Sequence, residues 1–445
     1  ITQCMSSQYF LVQVYGCQQQ EVCPCSRITN FQFSLMKERP YKLLIAAVIL
    51  ALTFLVFALG KSPIFRVDRA GAAIIGATLT IATDTLSFDE AAASVDHRTI
   101  VLLFSMMIVT ANLKLSGFFT LFGNFILKHI QTRQQLLAAV IAASGLLSAL
   151  FINDIVCLLF TPVVIMLCHQ AQVDALPYLI ALATASNIGS AATLIGNPQN
   201  ILIGSLSNIG FTPYAAIAAP LSILGLAINY FIVRLLYPAA TAGNLSLLPP
   251  EHSVVLAPLV RKSLGVTFAI LVGFIAGFDP VIVACLGAAY LLITRRIKPN
   301  KIYASIDFNL LVIFIGLFVV IGGVEHSGLM QWLMQKLSFI DFANFTIFSL
   351  LTIVLSNIFS NVPAVLLLQF FLPSGATSAW WAGMAVFSTL AGNLTITGSI
   401  ANLIVAEIAK RENITIDFGD YLKVGLPLTL ILCLLSLVYF KLLVL

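Results

Sequence analysis

The sequence has few charged residues. Asp, Glu, Lys and Arg make up only 9% of the 445 residues, whereas 60% are hydrophobic. Globular proteins contain about 25% charged residues, and a water-soluble fold of this length could not cover its surface with so few. The composition therefore predicts a polytopic integral membrane protein. The net charge of +5 is modest and gathered in short loops, so we expect a lipid bilayer and no nucleic acid as partners.

The sequence also lacks the motifs of enzymes and of ATP-driven pumps. It contains no His-Glu-x-x-His and no Gly-x-Ser-x-Gly sequence. Gly60-Lys61-Ser62 resembles the end of a phosphate-binding loop, but Leu55 stands where that loop needs its first glycine. These absences favour a transport protein over an enzyme, with no cofactor and no metal beyond a Na⁺ coupling ion.

A long apolar run is missing from the first 35 residues. Met36 begins a short stretch that leads directly into an apolar run at 43–59, and a span needs about 20 such residues. We therefore expect residues 1–35 to be an upstream extension that takes no part in transport. Helical segments are predicted near 41–60, 69–84, 99–115, 117–130, 136–168, 176–209, 211–237, 263–278, 280–294, 308–324, 329–340, 343–373, 380–408 and 421–443.

The sequence repeats itself after 211 positions. Asp68 then meets Asp279, and Asp96 meets Asp307. This correspondence predicts a first repeat at 41–237, a linker at 238–262 and a second repeat at 263–445.

Loop charges indicate that the repeats are inverted. The loop at 84–90 has three acidic residues, whereas its repeat partner at 295–301 has four basic ones. Cytoplasmic loops are enriched in Lys and Arg, so equivalent loops are expected on opposite sides of the membrane. The predicted fold is all-α, with about five spans in each inverted repeat.

Polar residues interrupt the apolar segments at 151–155, 186–200, 356–363 and 392–402, which form two repeat-equivalent pairs. Paired breaks in the two halves indicate the binding site of a transporter. The alternative is that Asn and Ser only join helices, at about 0.6 kcal/mol per hydrogen bond; four clusters at equivalent positions favour a site. The predicted substrate- and ion-binding residues are Asn153, Asp154, Ser186, Asn187, Gly189, Thr193, Gly196, Asn197, Asn200, Ser360, Asn361, Pro363, Asn393, Thr395, Thr397, Gly398 and Asn402.

Asp154 is the predicted coupling-ion residue. A carboxylate between Asn153 and Ile155 is costly in an apolar segment unless it is protonated, paired or bound to a cation. Its repeat partner is Val362, so the repeat does not require it. The alternative is a carboxylate exposed at a loop tip.

The runs at 151–162, 185–200, 360–365 and 391–402 resemble the ion transporter superfamily. The similarity is to its branch of arsenite permeases, NhaD-type sodium/proton antiporters and plant silicon-efflux transporters. It implies re-entrant hairpins at 136–168 and 343–373, broken helices, a scaffold and a transport domain that moves as an elevator, and a homodimer in the plasma (inner) membrane.

The hairpin tips bear on the substrate. Related divalent-anion/sodium symporters have Ser-Asn-Thr at both tips, whereas this chain has Ile152-Asn153-Asp154 and Ser360-Asn361-Val362. We therefore expect a secondary transporter for a small inorganic oxyacid such as arsenite or silicic acid, coupled to H⁺ or Na⁺. Na⁺/H⁺ antiport is the second interpretation, and dicarboxylate or sulfate/Na⁺ symport is the third. A further alternative is a channel, which would use the same polar clusters without coupling.

Overall fold

The computed structural model describes residues 40–245, 255–293 and 297–445. The predicted extension at 1–35, part of the predicted linker and Arg295 and Arg296 of the basic loop lie outside the described residues. Within them the chain is helical and forms no β-strand.

The first half contains ten helices among the described residues. They are α1 (Pro40–Leu59), α2 (Arg69–Ala82), α3 (Phe88–Ala93), α4 (His97–Ser116), α5 (Phe118–His129), α6 (Arg133–Leu150), α7 (Asn153–Gln170), α8 (Leu176–Ser190), α9 (Pro198–Ser207) and α10 (Phe211–Leu236).

The second half follows the same order after the short α11 (Pro238–Thr241). Its described helices are α12 (Ala257–Ile275), α13 (Pro280–Leu292), α14 (Pro299–Tyr303), α15 (Phe308–His326), α16 (Leu329–Lys336), α17 (Phe345–Phe359), α18 (Asn361–Leu368), α19 (Ser378–Ala391), α20 (Ile400–Arg411) and α21 (Phe418–Tyr439).

The aspartates that revealed the repeat are helix N-caps. The Asp68 side chain accepts a hydrogen bond from the backbone of α2, and Asp279 does the same for α13. Asp96 and Asp307 cap α4 and α15 in the same way. A capping carboxylate satisfies backbone N–H groups that have no partner within the helix, so these positions in the sequence repeat mark the starts of equivalent helices.

The two repeats pack against each other in reciprocal pairs. α2 packs against α15, and its repeat partner α13 packs against α4; likewise α7 packs against α20, and α18 against α9. Gly316 allows α2 and α15 to approach closely. Any larger residue would clash, because a Cβ at this position would lie 2.6 Å from the Ala73 carbonyl oxygen. Reciprocal contacts are those that a pseudo-two-fold axis between inverted repeats produces.

Two ion pairs mark one end of the helix bundle, which we name the first end. Lys42 Nζ lies 3.2 Å from Asp84 Oδ2, and Arg98 Nη2 lies 2.6 Å from Asp279 Oδ2. The hydrogen bond from Arg98 lowers the pKa of the Asp279 carboxyl below its usual value. The first contact joins the start of α1 to the end of α2, and the second joins the start of α4 to the start of α13.

The acidic and basic loops lie at opposite ends. The loop at 84–90 follows Asp84 at the first end. α13 starts at the first end and leads to residues 297–301 at the opposite end, which we name the second end. This arrangement agrees with the inversion predicted from loop charge.

The hairpin α6–α7 opens at the second end. α10 starts at the first end, where Thr212 Oγ1 lies 3.3 Å from the Ile275 carbonyl oxygen, and it runs for 26 residues. Beyond its far end, the Tyr178 hydroxyl lies 3.3 Å from the carbonyl oxygens of Ala240 and of Arg133 at the start of α6.

The hairpin α17–α18 opens at the first end. α21 starts at the second end, because the Tyr237 hydroxyl that follows α10 donates to the Asp420 carbonyl oxygen at 3.4 Å. After α21, the Phe440 ring lies 5.4 Å from that of Phe345 at the start of α17. The two hairpins therefore enter from opposite ends, as the family resemblance implies.

Eight helices of the described part are long and apolar enough to cross a membrane, and the protein is a multi-pass integral membrane protein. One predicted helix start differs: α12 begins at Ala257, six residues before the predicted start at 263. The predicted linker extends to 262, but the long side chains of Arg261 and Lys262 can lie in the second turn of a membrane helix and extend toward the membrane surface.

Candidate functional site

Both repeats interrupt one helix at equivalent places. The chain leaves α-helical geometry at 191–197 between α8 and α9, and at 392–399 between α19 and α20, where Ile396–Gly398 form a short 3₁₀ helix. Such breaks at membrane depth are tolerated only where protein or a water-filled cavity satisfies the free backbone groups.

A side-chain amide spans each break. Asn200 Nδ2 donates to the carbonyl oxygens of Ser190 (3.2 Å) and Thr193 (2.9 Å). Asn402 Nδ2 donates to those of Gly392 (2.8 Å) and Thr395 (3.2 Å). In both repeats the asparagine donates to the carbonyl oxygens ten and seven residues before it. The two halves therefore share the same pair of hydrogen bonds across the break.

Asn187 is the centre of a hydrogen-bonded network between the repeats. Its Nδ2 donates to Asn393 Oδ1 (2.9 Å) and Asn402 Oδ1 (3.0 Å). Its Oδ1 accepts from Asn153 Nδ2 (3.0 Å) and Ser399 Oγ (3.1 Å). An amide has two donors and two acceptor positions, so this fully buried side chain uses its whole capacity to join the first hairpin tip to the second broken helix.

A reciprocal contact exists on the other side of the pseudo-two-fold axis. Asn197 Nδ2 donates to Thr389 Oγ1 at 3.0 Å, which corresponds to the contact of Ser399 with Asn187. The Gln199 amide donates to the same threonine at 3.2 Å. Thr389 therefore occupies in the second repeat the place that Asn187 occupies in the first.

Two of the predicted glycines are required by close backbone approach. A Cβ at Gly189 would lie 2.1 Å from the Gly145 carbonyl oxygen of α6, and one at Gly196 would lie 2.2 Å from the Ser190 carbonyl oxygen. The Gly196 carbonyl oxygen accepts from the Asn153 backbone N–H at 2.9 Å. Close packing at these glycines brings the first hairpin tip onto the broken helix.

The predicted residues Ser186 and Thr193 fasten the first hairpin to α8 and its break. Ser186 Oγ lies 2.8 Å from Ser148 Oγ of α6. Thr193 Oγ1 donates to the Ala149 carbonyl oxygen at 2.6 Å. Both therefore join the hairpin to the broken helix.

The second hairpin tip is separate from the Asn187 network. Asn361 Oδ1 accepts from Ser356 Oγ at 2.6 Å, and Pro363 is buried in the first turn of α18. Ser360 has φ +75° and ψ 162°, a backbone region that non-glycine residues rarely adopt and that costs about 1–3 kcal/mol. Strain of this kind occurs where the surrounding structure imposes a function-related geometry.

Three further predicted residues lie in the second break. The hydroxyls of Thr395 and Thr397 lie 3.3 Å apart, and Thr397 is exposed. A Cβ on the buried Gly398 would lie 3.0 Å from Asn357 Oδ1. The second break is therefore more open than the first, whose residues are buried except for the half-buried Thr193.

The family profile described as citrate transporter (CitMHS) matches residues 52–385, about three quarters of the chain. This chain belongs to the citrate transporter family.

Relatives of this family member bear out the resemblance to arsenite and silicon transporters. The silicon efflux transporter LSI3 of Oryza sativa subsp. japonica is 30% identical over 83% of this chain and 91% of that protein. A Dictyostelium discoideum protein named as transporter arsB is 26% identical over 83% of this chain and 86% of that protein. The chain is therefore a membrane transporter of the citrate and arsenite–silicon efflux type.

A solved structure shares the fold of this family member. The YdaH transporter of Alcanivorax borkumensis superposes with a TM-score of 0.56 at 16% identity, over 90% of this chain and 98% of that chain. The likeness supports the fold.

Asp154 is the acidic residue among the predicted binding residues of this citrate transporter family chain. It is the second residue of α7 and is half-buried. The charged side chains that interact with it are Arg69, the first residue of α2, and Asp307, the N-cap of α15. Arg69 favours the negative charge of Asp154 and Asp307 opposes it.

Two buried amide oxygens near the first break have no hydrogen-bond partner. They are Asn153 Oδ1 at the first hairpin tip and Asn200 Oδ1 at the start of α9. Buried acceptors are normally satisfied, and amide oxygens are suitable ligands for hard cations such as Na⁺. No group of three or more His, Cys, Asp or Glu side chains in the described part could hold a metal ion.

Sequence reasoning missed two network residues that lie outside the four predicted polar segments. Thr389 follows Asn187 by 202 positions, the same spacing as Asn200 and Asn402, so the repeat could have identified it. The Tyr214 hydroxyl accepts from Asn200 Nδ2 (3.0 Å) and donates to the Ala191 carbonyl oxygen (2.9 Å). The sequence could not have identified Tyr214, because a tyrosine near the start of an apolar helix is common at membrane interfaces.

Proposed function

We propose that this chain is a secondary active transporter for a small inorganic oxyacid such as arsenite or silicic acid, coupled to H⁺ or Na⁺. The supporting observation is the chemistry of the network between the repeats. Its side chains are amides and hydroxyls, and its described hydrogen bonds include no Lys or Arg. Amide and hydroxyl groups suit an uncharged solute with several O–H groups better than a strong anion.

Arsenous and silicic acids are weak acids that are uncharged at neutral pH. Their hydroxyl groups can donate to and accept from amides and threonines, as water does. A polycarboxylate such as citrate would bring several negative charges into a low-dielectric site, which is costly without cations. The names of the silicon efflux and arsB relatives favour the uncharged substrate, whereas the name of the family favours citrate.

Asp154 is the proposed coupling residue. Its half-buried position at the tip of the first hairpin makes a charge there costly unless a proton or cation is bound. For Na⁺, the unpartnered Oδ1 atoms of Asn153 and Asn200 are additional candidate ligands. For H⁺, protonation of Asp154 alone would remove the charge.

Na⁺/H⁺ antiport without an oxyacid is the alternative function. The half-buried Asp154 carboxylate favours it, since a carboxylate that precedes Ile155 and follows Asn153, whose Oδ1 has no partner, can bind a cation or a proton in turn without any solute. Dicarboxylate or sulfate/Na⁺ symport is the third candidate and has less support, because the network offers no cationic side chain.

A flux panel in proteoliposomes tests these functions. Arsenite, silicic acid, citrate, sulfate, succinate and Na⁺ are supplied in turn under an imposed pH or Na⁺ gradient. We expect saturable, gradient-driven flux of arsenite or silicic acid that an ionophore abolishes. Driven Na⁺ flux alone would support the antiporter, carboxylate or sulfate flux would contradict the oxyacid proposal, and flux insensitive to both gradients would indicate a channel.

We also propose a homodimer in the plasma membrane, with elevator movement of a transport domain. Support comes from the family resemblance and from the two hairpins that enter from opposite ends. Light scattering of the purified chain in detergent tests the dimer, because a monomeric mass would contradict it.

A further inference from the structure

A groove of about 680 Å³ runs along the outside of the bundle between α12 and α13. Three small residues, Gly265, Ala269 and Gly273, recur every fourth position on the α12 side, so they lie on one face of the helix. On the α13 side, Gly287 brings the helices together, since a Cβ there would lie 2.5 Å from the Ile270 side chain. The small side chains on α12 and the close contact of the two helices at Gly287 leave an elongated groove.

The groove faces the hydrocarbon core of the membrane. Phe268 of α12 is 70% exposed and Leu286 of α13 is 67% exposed, which is expected for side chains that contact lipid. The bilayer core contains no water to fill such a space, so acyl chains occupy it. The distance along α12 from Arg261 to Gly273 is about 18 Å at 1.5 Å per residue, slightly more than half of the ~30 Å hydrocarbon core.

Two basic residues line the mouth of the groove at the second end. Lys262 Nζ donates to the carbonyl oxygens of Tyr290 (2.8 Å) and Ile293 (2.6 Å) and lies 4.5 Å from the centre of the Tyr290 ring. Arg261 is exposed beside it. No ion pair found among the described residues involves either side chain, so the mouth has net positive charge at the depth of lipid headgroups.

The repeat-equivalent groove between α1 and α2 differs. It has a volume of about 330 Å³, and its described lining contains no charged side chain. The basic mouth is therefore a specific feature of the second groove, and the repeat architecture alone does not produce it.

We propose that the α12–α13 groove binds one anionic phospholipid. An acyl chain lies along Gly265, Ala269 and Gly273, and the phosphodiester headgroup contacts Arg261 and Lys262. Basic pockets between transmembrane helices are a recognised arrangement for acidic lipid headgroups, and guanidinium groups bind phosphate oxygens through paired hydrogen bonds.

A second copy of the chain fits this surface less well, although small residues at this spacing can pair helices. In a membrane dimer related by an axis along the membrane normal, α12 would meet its copy in parallel orientation. The two basic pairs would then face each other at one depth. Like charges in this arrangement repel, whereas an anionic headgroup neutralises them.

Native mass spectrometry of the full chain in neutral detergent tests the proposal, with equal amounts of phosphatidylglycerol and phosphatidylcholine added. At about 1 kcal/mol per basic residue near the membrane surface, the two residues give about a 30-fold preference for the anionic lipid. We expect R261Q/K262Q to lose this preference and still bind phosphatidylcholine. The control K410Q/R411Q, an adjacent basic pair at the same end of the bundle, should retain it.

Gly265→Leu is an independent test that does not alter charge. A Cβ at this position has no atom within 4 Å, so the leucine extends into the groove without displacing protein atoms. We expect at least a tenfold loss of both lipids with an unchanged Tm. The proposal is overturned if R261Q/K262Q keeps the wild-type preference, if Gly265→Leu keeps its lipid, or if Gly265→Leu converts a dimer to a monomer without loss of lipid.

Discussion

Replacing Asn187 by alanine should lower the free energy of unfolding by more than the loss of one hydrogen bond between helices would. The fully buried Asn187 side chain makes four hydrogen bonds, to Asn153, Asn393, Asn402 and Ser399. Measured side-chain hydrogen bonds between membrane helices average about 0.6 kcal/mol each. We therefore predict that Asn187→Ala lowers the free energy of unfolding by about 2.4 kcal/mol, and it should weaken substrate binding because the two repeats lose their shared contact.

Asn112→Ala is the matched control. Asn112 is also fully buried in a helix, but its amide makes one hydrogen bond, to the Ile108 carbonyl oxygen of its own helix, and its Oδ1 has no partner. The same truncation should therefore cost about 0.6 kcal/mol or less. The difference between the two variants isolates the network from the general effect of removing a buried amide.

Reversible unfolding in mixed detergent–lipid micelles measures both losses. The double variant Asn153→Ala/Asn187→Ala should lose less than the sum of the single variants, because both remove the same hydrogen bond. If Asn187→Ala loses no more stability than Asn112→Ala, the four hydrogen bonds at Asn187 do not stabilise the fold, and the reasoning about the network is wrong.

Three other changes test separate parts of the structure. Asp154→Asn should abolish gradient-driven flux in proteoliposomes and leave equal-gradient exchange intact; unchanged pH and Na⁺ dependence would show that Asp154 is structural. Gly189→Ala should lower the Tm, because its Cβ would lie 2.1 Å from a carbonyl oxygen. Gly265→Ala has open space around its Cβ and should raise the Tm slightly. Equal shifts in Tm would refute the packing argument. Single cysteines at Ser87 and Asn300 in a cysteine-free background should react with membrane-impermeant reagents from opposite sides, and labelling from one side would contradict inversion.

The network suggests how substrate and coupling ion could be linked. Asn153 belongs to the first hairpin and is adjacent to Asp154, while its amide is bonded to Asn187 between the repeats. A proton or cation arriving at Asp154 would act on the same hairpin tip that contacts the second broken helix. Coupling at Asp154, as proposed, then requires no long pathway, because Asn153 and Asp154 are neighbours in the chain.

The overall architecture could be predicted from the sequence because its causes are local. Apolar runs of sufficient length must span the membrane, and the repeat-equivalent aspartates, such as Asp68 and Asp279, were visible because N-capping depends on residues close in the chain. The helix breaks were equally visible, since glycine, proline and asparagine disfavour regular helix wherever they occur. The start of α12 was predicted six residues late because the predicted linker at 238–262 includes the first six residues of the helix.

The grouping of the site residues depended on contacts between distant segments. The sequence predicted Asn153, Asn187 and Asn402 as one set, but only the tertiary structure made Asn187 the centre and left Asn361 apart from it. Hydrogen-bond partners 34 and 215 residues apart are decided by how helices pack. The sequence by itself determined which polar groups enter the membrane, because each must satisfy its own solvation cost; the tertiary structure decided which of them share a bond, because that depends on distances of about 3 Å between different helices.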